Sequence, residues 1–216
     1  MESKDIEHSE RLHTYVEERA FGRDEALLRV EDATSALGGI AIMQTSASQA
    51  AFLELLVKVS GSERALEVGT FTGYGAIRIA RGLPDHGTLL CLEVDEGWAA
   101  TAQANIEAAG LAGKVEIRVG PALPALQAMP AEPTFDFAYL DADKQTYPEY
   151  YEEIVPRLTE GGLLGIDNVL KGGRVVDPDD ESTEAVARLN DRVAGDPRVE
   201  SVLLPIADGL TLVRRR

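Results

Sequence analysis

Acidic side chains stand at the ends of several short apolar runs, a placement that suits metal or nucleotide chemistry. Glu67 lies at the end of RALEV, Glu93 at the end of TLLCLEV and Asp141 at the end of FDFAYLD. A fourth run, GGLLGID, ends in Asp167 and is followed by Asn168. Ligands of open α/β sheets bind just beyond the carboxyl ends of the strands. If these runs are neighbouring strands, their shared rim suits a nucleotide-like cofactor beside a hard metal ion.

The turn that follows the first run reads GTFTGYG, from Gly69 to Gly75. Its spacing differs from the G-x-G-x-x-G order that places a pyrophosphate at a helix N-terminus. Glu67 would repel a pyrophosphate but suits a cationic or amine-bearing ligand, which favours an aminoacyl nucleoside over NAD. Glu93 ends the next run, where a carboxylate can accept hydrogen bonds from both hydroxyls of a ribose. Taken alone, the turn is equally well a tight joint between a strand and a helix.

The third run, KVEIRV, ends in a stretch of small residues, Val119-Gly120-Pro121-Ala122. An open backbone of this kind leaves room for an adenine ring to lie flat against the chain. Pro121 also fits the first turn of a helix, and the two interpretations are compatible.

Asp141, Asp167 and Asn168 offer only oxygen ligands, which suit Mg²⁺, Mn²⁺ or Ca²⁺ better than zinc. The histidines His8, His13 and His86 are distant from these residues in the sequence, so a histidine-rich metal site is not expected. Any one aspartate at a strand end is more often a turn residue or a helix cap. The combination of two such ends with an adjacent asparagine favours the metal site.

Lys144 follows Asp143 in the segment DADK, directly after the Asp141 strand. Near a metal-bound hydroxyl, its amine could remove the proton or hold the oxygen as an anion. The alternative is a surface lysine that pairs with Asp141 or Asp143. We prefer the catalytic role.

The pattern of elements predicts an α/β protein. The first 60 residues have helical spacing, with Leu12, Val16 and Ala20 on one face, and GGIAIMQTSAS is predicted as a loop in which Ser46 or Ser48 caps the next helix. From residue 64, strand-like runs alternate with helical segments, which indicates a mainly parallel sheet with helices on both faces. The last two runs, VESVLL and LTLVRR, are joined only by PIADG and should pair antiparallel. We predict a single domain in which residues 1–60 cap a sheet core of residues 61–216.

Composition limits the partners. The chain of 216 residues has 37 acidic and 21 basic side chains, and its net charge of −16 disfavours nucleic acids and anionic membranes. The lone Cys91 has no partner for a disulfide within the chain, the first residues are polar, and no apolar run approaches about 18 residues. These features predict a soluble, cytoplasmic protein.

The segments LEVGTFTGY, LDADK, the Asp167-Asn168 pair and PIADGLTL together resemble the cation-dependent O-methyltransferases, the group that includes catechol and caffeoyl-coenzyme A O-methyltransferases. The resemblance runs from about the MQTS loop to the C-terminus. It implies a Rossmann-like methyltransferase fold, with a seven-stranded, mostly parallel sheet and an antiparallel edge hairpin. It also implies S-adenosylmethionine as the methyl donor and a homodimer.

The resemblance assigns roles by position. Glu67, Gly69 and Thr70 would line the methionine end of the cofactor. Glu93 would hold the ribose, and Ala122 the adenine. Asp141, Asp167 and Asn168 would bind the metal, with Asp141 also near the cofactor. Lys144 would be the base, and Met43 and Thr45 would belong to a loop that closes over the cofactor.

Two positions depart from the family pattern. Gly75 stands where a serine commonly contacts the cofactor carboxylate, although a backbone N–H could still serve there. After the Asp167-Asn168 pair, an apolar and often aromatic loop is replaced by a segment that contains Lys171 and Arg174. These two cations could recognise an acidic group of the substrate. They are equally well solvated loop charges.

The reaction implied is methyl transfer to a phenolic hydroxyl of a vicinal diol, such as a catechol, a caffeoyl-type acid, a flavonoid or a polyketide intermediate. An NAD-dependent oxidoreductase would explain the sheet and Glu93, but would leave Glu67 and the Asp167-Asn168 pair without a role. A non-catalytic scaffold that keeps a methyltransferase fold is the other alternative. The acidic charge disfavours a nucleic acid methyltransferase.

Overall fold

A computed structural model describes residues 9–19 and 21–216, so His8 and Ala20 lie outside the described residues. Within that part of the chain, α-helices alternate with the strands of one seven-stranded sheet. The helices are α1 (Glu10–Glu17), α2 (Glu25–Ser35), α3 (Ala47–Ser60), α4 (Tyr74–Gly82), α5 (Glu96–Ala108), α6 (Ala122–Ala128), α7 (Tyr147–Ile154) and α8 (Glu181–Ala194). The strands are β1 (Arg64–Val68), β2 (Thr88–Glu93), β3 (Val115–Val119), β4 (Phe135–Leu140), β5 (Leu158–Asp167), β6 (Val199–Leu204) and β7 (Leu210–Arg215).

The strand order is β3-β2-β1-β4-β5-β7-β6, which confirms the fold predicted from the sequence. Strands β1 to β5 run parallel, and β7 is antiparallel to both β5 and β6. The two C-terminal strands therefore pair as predicted, although β7 is inserted beside β5 and leaves β6 at the edge. The strand order reverses between β1 and β4, which is the point where open α/β sheets bind their ligands.

The register of the central strands explains how the acidic side chains meet. Glu67 of β1 is paired on one side with Cys91 and on the other with Tyr139, and Tyr139 is paired with Gly165. Since side chains alternate along a strand, the positions two residues further on share the same face of the sheet. Those positions are Glu93, Gly69, Asp141 and Asp167. The sheet thus aligns three acidic residues and Gly69 in one row across four neighbouring strands.

Helices cover both faces of the sheet with separate apolar clusters. One cluster joins α2, α3, α4 and α5 to strand residues such as Ala65 and Phe137. The other joins α6, α7 and α8 to strand residues such as Leu66 and Leu140. Neighbouring residues of a strand therefore serve opposite faces, and the acidic row lies on the face covered by α3 and α4.

The N-terminal helices contact the glycine turn directly. Thr34 of α2 lies within hydrogen-bond distance of Thr72, with 3.0 Å between the hydroxyl oxygens. The Tyr74 hydroxyl donates to Glu31 Oε1 at 2.5 Å. Arg78, which is fully buried, donates to Glu54 Oε2 of α3 at 3.0 Å and to the Phe21 carbonyl oxygen. These buried polar contacts join α2, α3 and α4 around the turn.

Local signals at the ends of α3 agree with the sequence. The Ser46 hydroxyl accepts the Gln49 N–H as the N-cap, and Gly61 ends the helix with a φ of 66°. The preceding segment was expected to be a loop, but Gly38–Met43 forms a 3-10 helix. Pro121 was predicted to lie in the first turn of a helix, but it is the N-cap residue, one position before α6 begins.

One segment corrects an expectation about apolar runs. Among the described residues, Gly38–Ser60 is the one helical stretch long and apolar enough to cross a membrane, with a mean hydropathy of 1.3. Core helices of soluble proteins can also be this long and this apolar. Its α3 portion buries Ala50, Leu53 and Val57 in the cluster beneath the sheet, which is the environment of a core helix.

Candidate active site

A cavity of about 1250 Å³ opens at the carboxyl ends of the parallel strands. Every site residue predicted from the sequence lines it. They are Met43, Thr45, Glu67, Gly69, Thr70, Gly75, Glu93, Ala122, Asp141, Lys144, Asp167 and Asn168. The topology therefore brings together residues that the sequence separates widely.

Glu93 holds the glycine turn in place through its carboxylate. Its Oε2 accepts the N–H groups of Thr70 and Phe71, both at 2.9 Å, and its Oε1 accepts the Asp95 N–H at 3.0 Å. The side chain is buried at the cavity wall. Beside its predicted role toward a ribose, Glu93 thus has a structural role that the sequence did not reveal.

Asp167 is nearly buried and is oriented by two hydrogen bonds. Tyr139 donates its hydroxyl to Oδ2 at 2.6 Å, and the Asn168 N–H donates to Oδ1 at 2.6 Å. Gln49 in turn donates to the Tyr139 hydroxyl oxygen at 3.0 Å. Burial raises the pKa of Asp167 to about 6, and the negative charge of Asp141 adds to the rise.

Asp141 forms an ion pair with Lys144, the lysine that follows it three residues later in the sequence. Lys144 Nζ lies 2.7 Å from Asp141 Oδ1 and 3.0 Å from the Ala142 carbonyl oxygen. The Lys144 side chain is only 16% exposed and points along the cavity wall. A lysine that pairs with Asp141 can still have a catalytic role, because this ion pair keeps the Lys144 amine beside the acidic row.

Glu67 is the acid with the poorest compensation. It is 1% exposed, and the contact to its Oε2 is a weak one from the Cys91 thiol at 3.4 Å. Burial raises the pKa of Glu67 to about 8, with smaller contributions from Asp141 and Glu93. Its Oε1 faces Gly75, where a Cβ would stand 2.7 Å away. The glycine at position 75 therefore leaves the space that the Glu67 carboxyl occupies.

Several wall residues were not anticipated from the sequence. They are His13 on α1, Gln49 on α3, Tyr139 on β4 and the pair Phe71 and Trp98, whose rings meet edge to face at 4.6 Å. His13 reaches the cavity although it lies far from the strand ends in the sequence. Trp98 could have been proposed from the sequence, since it is the one tryptophan of the chain and follows Glu93 by five residues. The others depend on long-range packing.

The donor set fits a hard cation. Two carboxylates and one amide line the cavity at adjacent strand ends, and the pKa of Asp167, raised by burial and by Asp141, indicates that its negative charge is costly without a counter-ion. Among residues 9–19 and 21–216 no group of three His, Cys, Asp or Glu side chains is arranged for a metal, so the amide of Asn168 has to complete the set. Of the buried side-chain oxygens that lack a hydrogen-bond partner in the described part of the chain, two belong to residues that line the cavity, Thr70 Oγ1 and Gln44 Oε1. Such atoms fit a polar ligand in the cavity.

A doubly wound sheet with a glycine turn and an acidic rim at its switch point defines an enzyme of the nucleotide-cofactor class. The O-methyltransferase family matches residues 17–216 of this chain. Caffeoyl-CoA O-methyltransferase 1 of Zea mays is 40% identical over 186 residues, which cover 81% of this chain and 72% of the plant protein.

Two solved structures are similar over nearly their whole length. The O-methyltransferase from Bacillus cereus in complex with SAH has 33% identity and a TM-score of 0.87, covering 95% of this chain and 97% of that one. The O-methyltransferase TomG from Streptomyces achromogenes, involved in tomaymycin synthesis and solved with SAM, has 32% identity and a TM-score of 0.87, covering 95% and 96%.

The chain therefore belongs to the O-methyltransferase family. The enzyme class predicted from the sequence, an S-adenosylmethionine-dependent O-methyltransferase of the caffeoyl-CoA type, is confirmed. An NAD-dependent oxidoreductase is excluded by the same finding.

The contact between Gly75 and Glu67 generates a prediction. Gly75→Ala should destabilise the protein by about 1–3 kcal/mol, because the new methyl group overpacks against Glu67 Oε1. In a Glu67→Ala background the same substitution should cost much less. Denaturant unfolding of the four proteins measures the coupling, and Gly113→Ala is the control, since a Cβ there meets nothing within 4 Å. Equal losses in both backgrounds would contradict the proposed contact.

Proposed function

We propose that this enzyme transfers a methyl group from S-adenosylmethionine to one hydroxyl of a vicinal-diol phenol, with a divalent cation bound beside the cofactor. The observation that carries the proposal is the arrangement of one cavity, in which an oxygen-rich cluster and Lys144 adjoin the glycine turn. Neither feature alone requires this chemistry. Their proximity supports a reaction in which a hydroxyl loses its proton next to a bound methyl donor.

The cofactor is assigned to the side of the cavity formed by the glycine turn. Gly69, Thr70 and Gly75 would contact the methionine portion, with the unpartnered Thr70 hydroxyl as a donor. Glu93 would accept the ribose hydroxyls through Oε1, which accepts one N–H. Ala122 at the start of α6 would face the adenine. Met43, which is half exposed, and Thr45 would belong to the segment that closes over the cofactor.

The metal is assigned to Asp141, Asp167 and Asn168, with Mg²⁺ as the first choice and Mn²⁺ or Ca²⁺ as alternatives. When bound, such a cation lowers the pKa of a coordinated hydroxyl and fixes its position. This supplies the reason for a vicinal diol, which offers two adjacent oxygens. Catechols, caffeoyl-type esters, flavonoids and polyketide intermediates all meet that requirement.

Lys144, as a neutral amine, would accept the proton of the reacting hydroxyl, and the ammonium that this forms would be held by its ion pair with Asp141. Its amine is held by Asp141 and the Ala142 carbonyl, and the Tyr147 ring lies below it with 4.9 Å between Nζ and the ring centroid. These contacts restrict the side chain to the wall beside the acidic row. Positioning and electrostatics then account for the rate, since the protein forms no covalent bond to the substrate.

The first test is methyl transfer to a panel of catechol, caffeate and caffeoyl-CoA, with Mg²⁺ or with excess EDTA. Turnover should be abolished by EDTA, and Asp167→Asn should lower it at least about a hundredfold. Asp191→Asn is the matched control, because Asp191 is exposed on α8 away from the cavity. Turnover that EDTA leaves intact would refute the metal. Binding of S-adenosylhomocysteine without turnover on any of these three diols would count against the substrate class.

A second prediction concerns the hydrogen bond from Tyr139 to Asp167. Tyr139→Phe should weaken Mn²⁺ binding about tenfold, because partners of metal ligands orient them and tune their charge. Calorimetric titration in the presence of S-adenosylhomocysteine measures this without relying on activity. Tyr151→Phe is the control, since it removes a buried hydroxyl that donates to Asp196, outside the cavity. Equal Mn²⁺ affinity in the two variants would contradict the metal assignment.

A third prediction separates the roles of Lys144. Lys144→Met should lower kcat about a hundredfold or more without weakening S-adenosylhomocysteine binding. Lys144→Arg keeps a cation beside Asp141 but does not accept a proton near neutral pH, so it should be nearly as slow. Rapid-quench kinetics at saturating acceptor measures both. A Lys144→Arg variant with normal kcat would show that charge, and not proton transfer, is what the lysine provides.

Three expectations from the sequence remain predictions. We propose a homodimer from the resemblance, and the absence of nucleic acid or membrane partners from the net charge of −16. We propose a cytoplasmic location because the lone Cys91 fits a reducing compartment.

A further inference from the structure

Lys171 stands out among the charged residues of the cavity wall. The wall carries six carboxyl groups, those of Glu67, Glu93, Asp141, Asp143, Asp167 and Asp208. Its basic side chains in the described part of the chain are Lys144, Lys171 and His13. Lys144 is already paired with Asp141 at 2.7 Å. The ion pairs found among residues 9–19 and 21–216 include none with Lys171.

The loop that carries Lys171 is anchored to the connection between β6 and β7. Asp208 accepts the Leu170 N–H through its carbonyl oxygen at 2.9 Å and the Gly172 N–H through Oδ1 at 2.6 Å. Lys171 itself has a φ of 50°, a left-handed conformation that is unfavourable for a lysine. The loop therefore fixes the lysine backbone at the cavity, three positions after the predicted metal ligand Asn168.

Arg174 of the same loop has a different environment. Its guanidinium pairs with Asp179 at 3.2 Å and with Asp180 at 2.5 Å, and it does not line the cavity. The two loop cations, which the sequence could not distinguish, thus separate into one that is already paired at the surface and one that faces the cavity.

We propose that Lys171 selects acceptors that carry an anionic group, which it binds while the diol lies at the oxygen cluster. The inference rests on the proposed function and narrows its substrate class. The other basic side chains of the described wall are Lys144, which is already paired with Asp141, and His13. Repulsion from the six carboxyl groups would weaken the binding of an anion that lies away from Lys171. The anionic group can be a carboxylate on the phenol or the phosphates of a coenzyme A thioester, which share the same recognition chemistry.

The test compares a matched pair of acceptors, 3,4-dihydroxybenzoate and the neutral 3,4-dihydroxybenzamide, with Mg²⁺ and S-adenosylmethionine. Lys171→Gln should raise KM for the benzoate about tenfold, the usual scale for losing a hydrogen bond to a charged group, and leave KM for the benzamide within about twofold. Lys171→Arg should retain the preference, and Arg174→Gln should change neither value. Caffeoyl-CoA is the third acceptor, and a KM increase confined to it would identify the phosphates as the group bound.

Two outcomes would overturn the inference: equal KM changes for charged and neutral acceptors, or no change in any of them. If no variant turns over either acceptor, the proposed function fails, and binding decides the role of Lys171 separately. Calorimetry of the protein saturated with S-adenosylhomocysteine then measures benzoate and benzamide binding. Weaker binding of the benzoate alone in Lys171→Gln would support the inference, and equal binding would refute it.

Discussion

The structure depends on how it tolerates a row of carboxyl groups at one edge of its sheet. Glu93, Asp141 and Asp167 occupy equivalent positions on β2, β4 and β5, and Glu67 lies on the intervening β1, two residues before the matching position. Like charges at such spacing repel each other, and burial makes each charge more costly. A fold that keeps them must provide separate compensation for each. That requirement accounts for most of the polar contacts around the cavity.

Glu93, Asp141 and Asp167 each have different hydrogen-bond or ion-pair partners. Glu93 accepts three backbone N–H groups, which simultaneously shape the glycine turn. Asp141 has the Lys144 ammonium, and Asp167 has the Tyr139 hydroxyl and a backbone N–H. Glu93 is thus compensated by backbone donors. For Asp167 the compensation is partial, since burial and the nearby charge of Asp141 keep its pKa raised to about 6. The pair is therefore where an added cation would gain the most, which is the physical basis of the proposed metal site.

The sequence predicted the features that depend on local pattern. The strands RALEV, VESVLL and LTLVRR match β1, β6 and β7 residue for residue, because apolar alternation and short turns define them. The site residues could be proposed because strand ends in a parallel sheet share one edge. What was missed depends on contacts between distant segments: His13 reaches the cavity from α1, Gln49 contacts Tyr139 from α3, and the loop of Lys171 is fixed by Asp208. Helix α8 was not predicted either, and the insertion of β7 beside β5 cannot be derived from a hairpin pattern.

Glu67 links these observations to the choice of cofactor. Unlike the three acids of the row, Glu67 has neither a cation nor a backbone donor among the described residues, and its pKa of about 8 keeps it largely protonated near neutral pH. A protonated carboxyl facing Gly75 is uncharged and imposes little cost on the fold. A cationic ligand in the turn would favour its ionised form, so that binding and deprotonation support each other. An anionic dinucleotide would gain nothing from this group. In the proposed cofactor site, this carboxyl, with the Cys91 thiol as its weak donor, would favour a sulfonium-bearing cofactor over an anionic one.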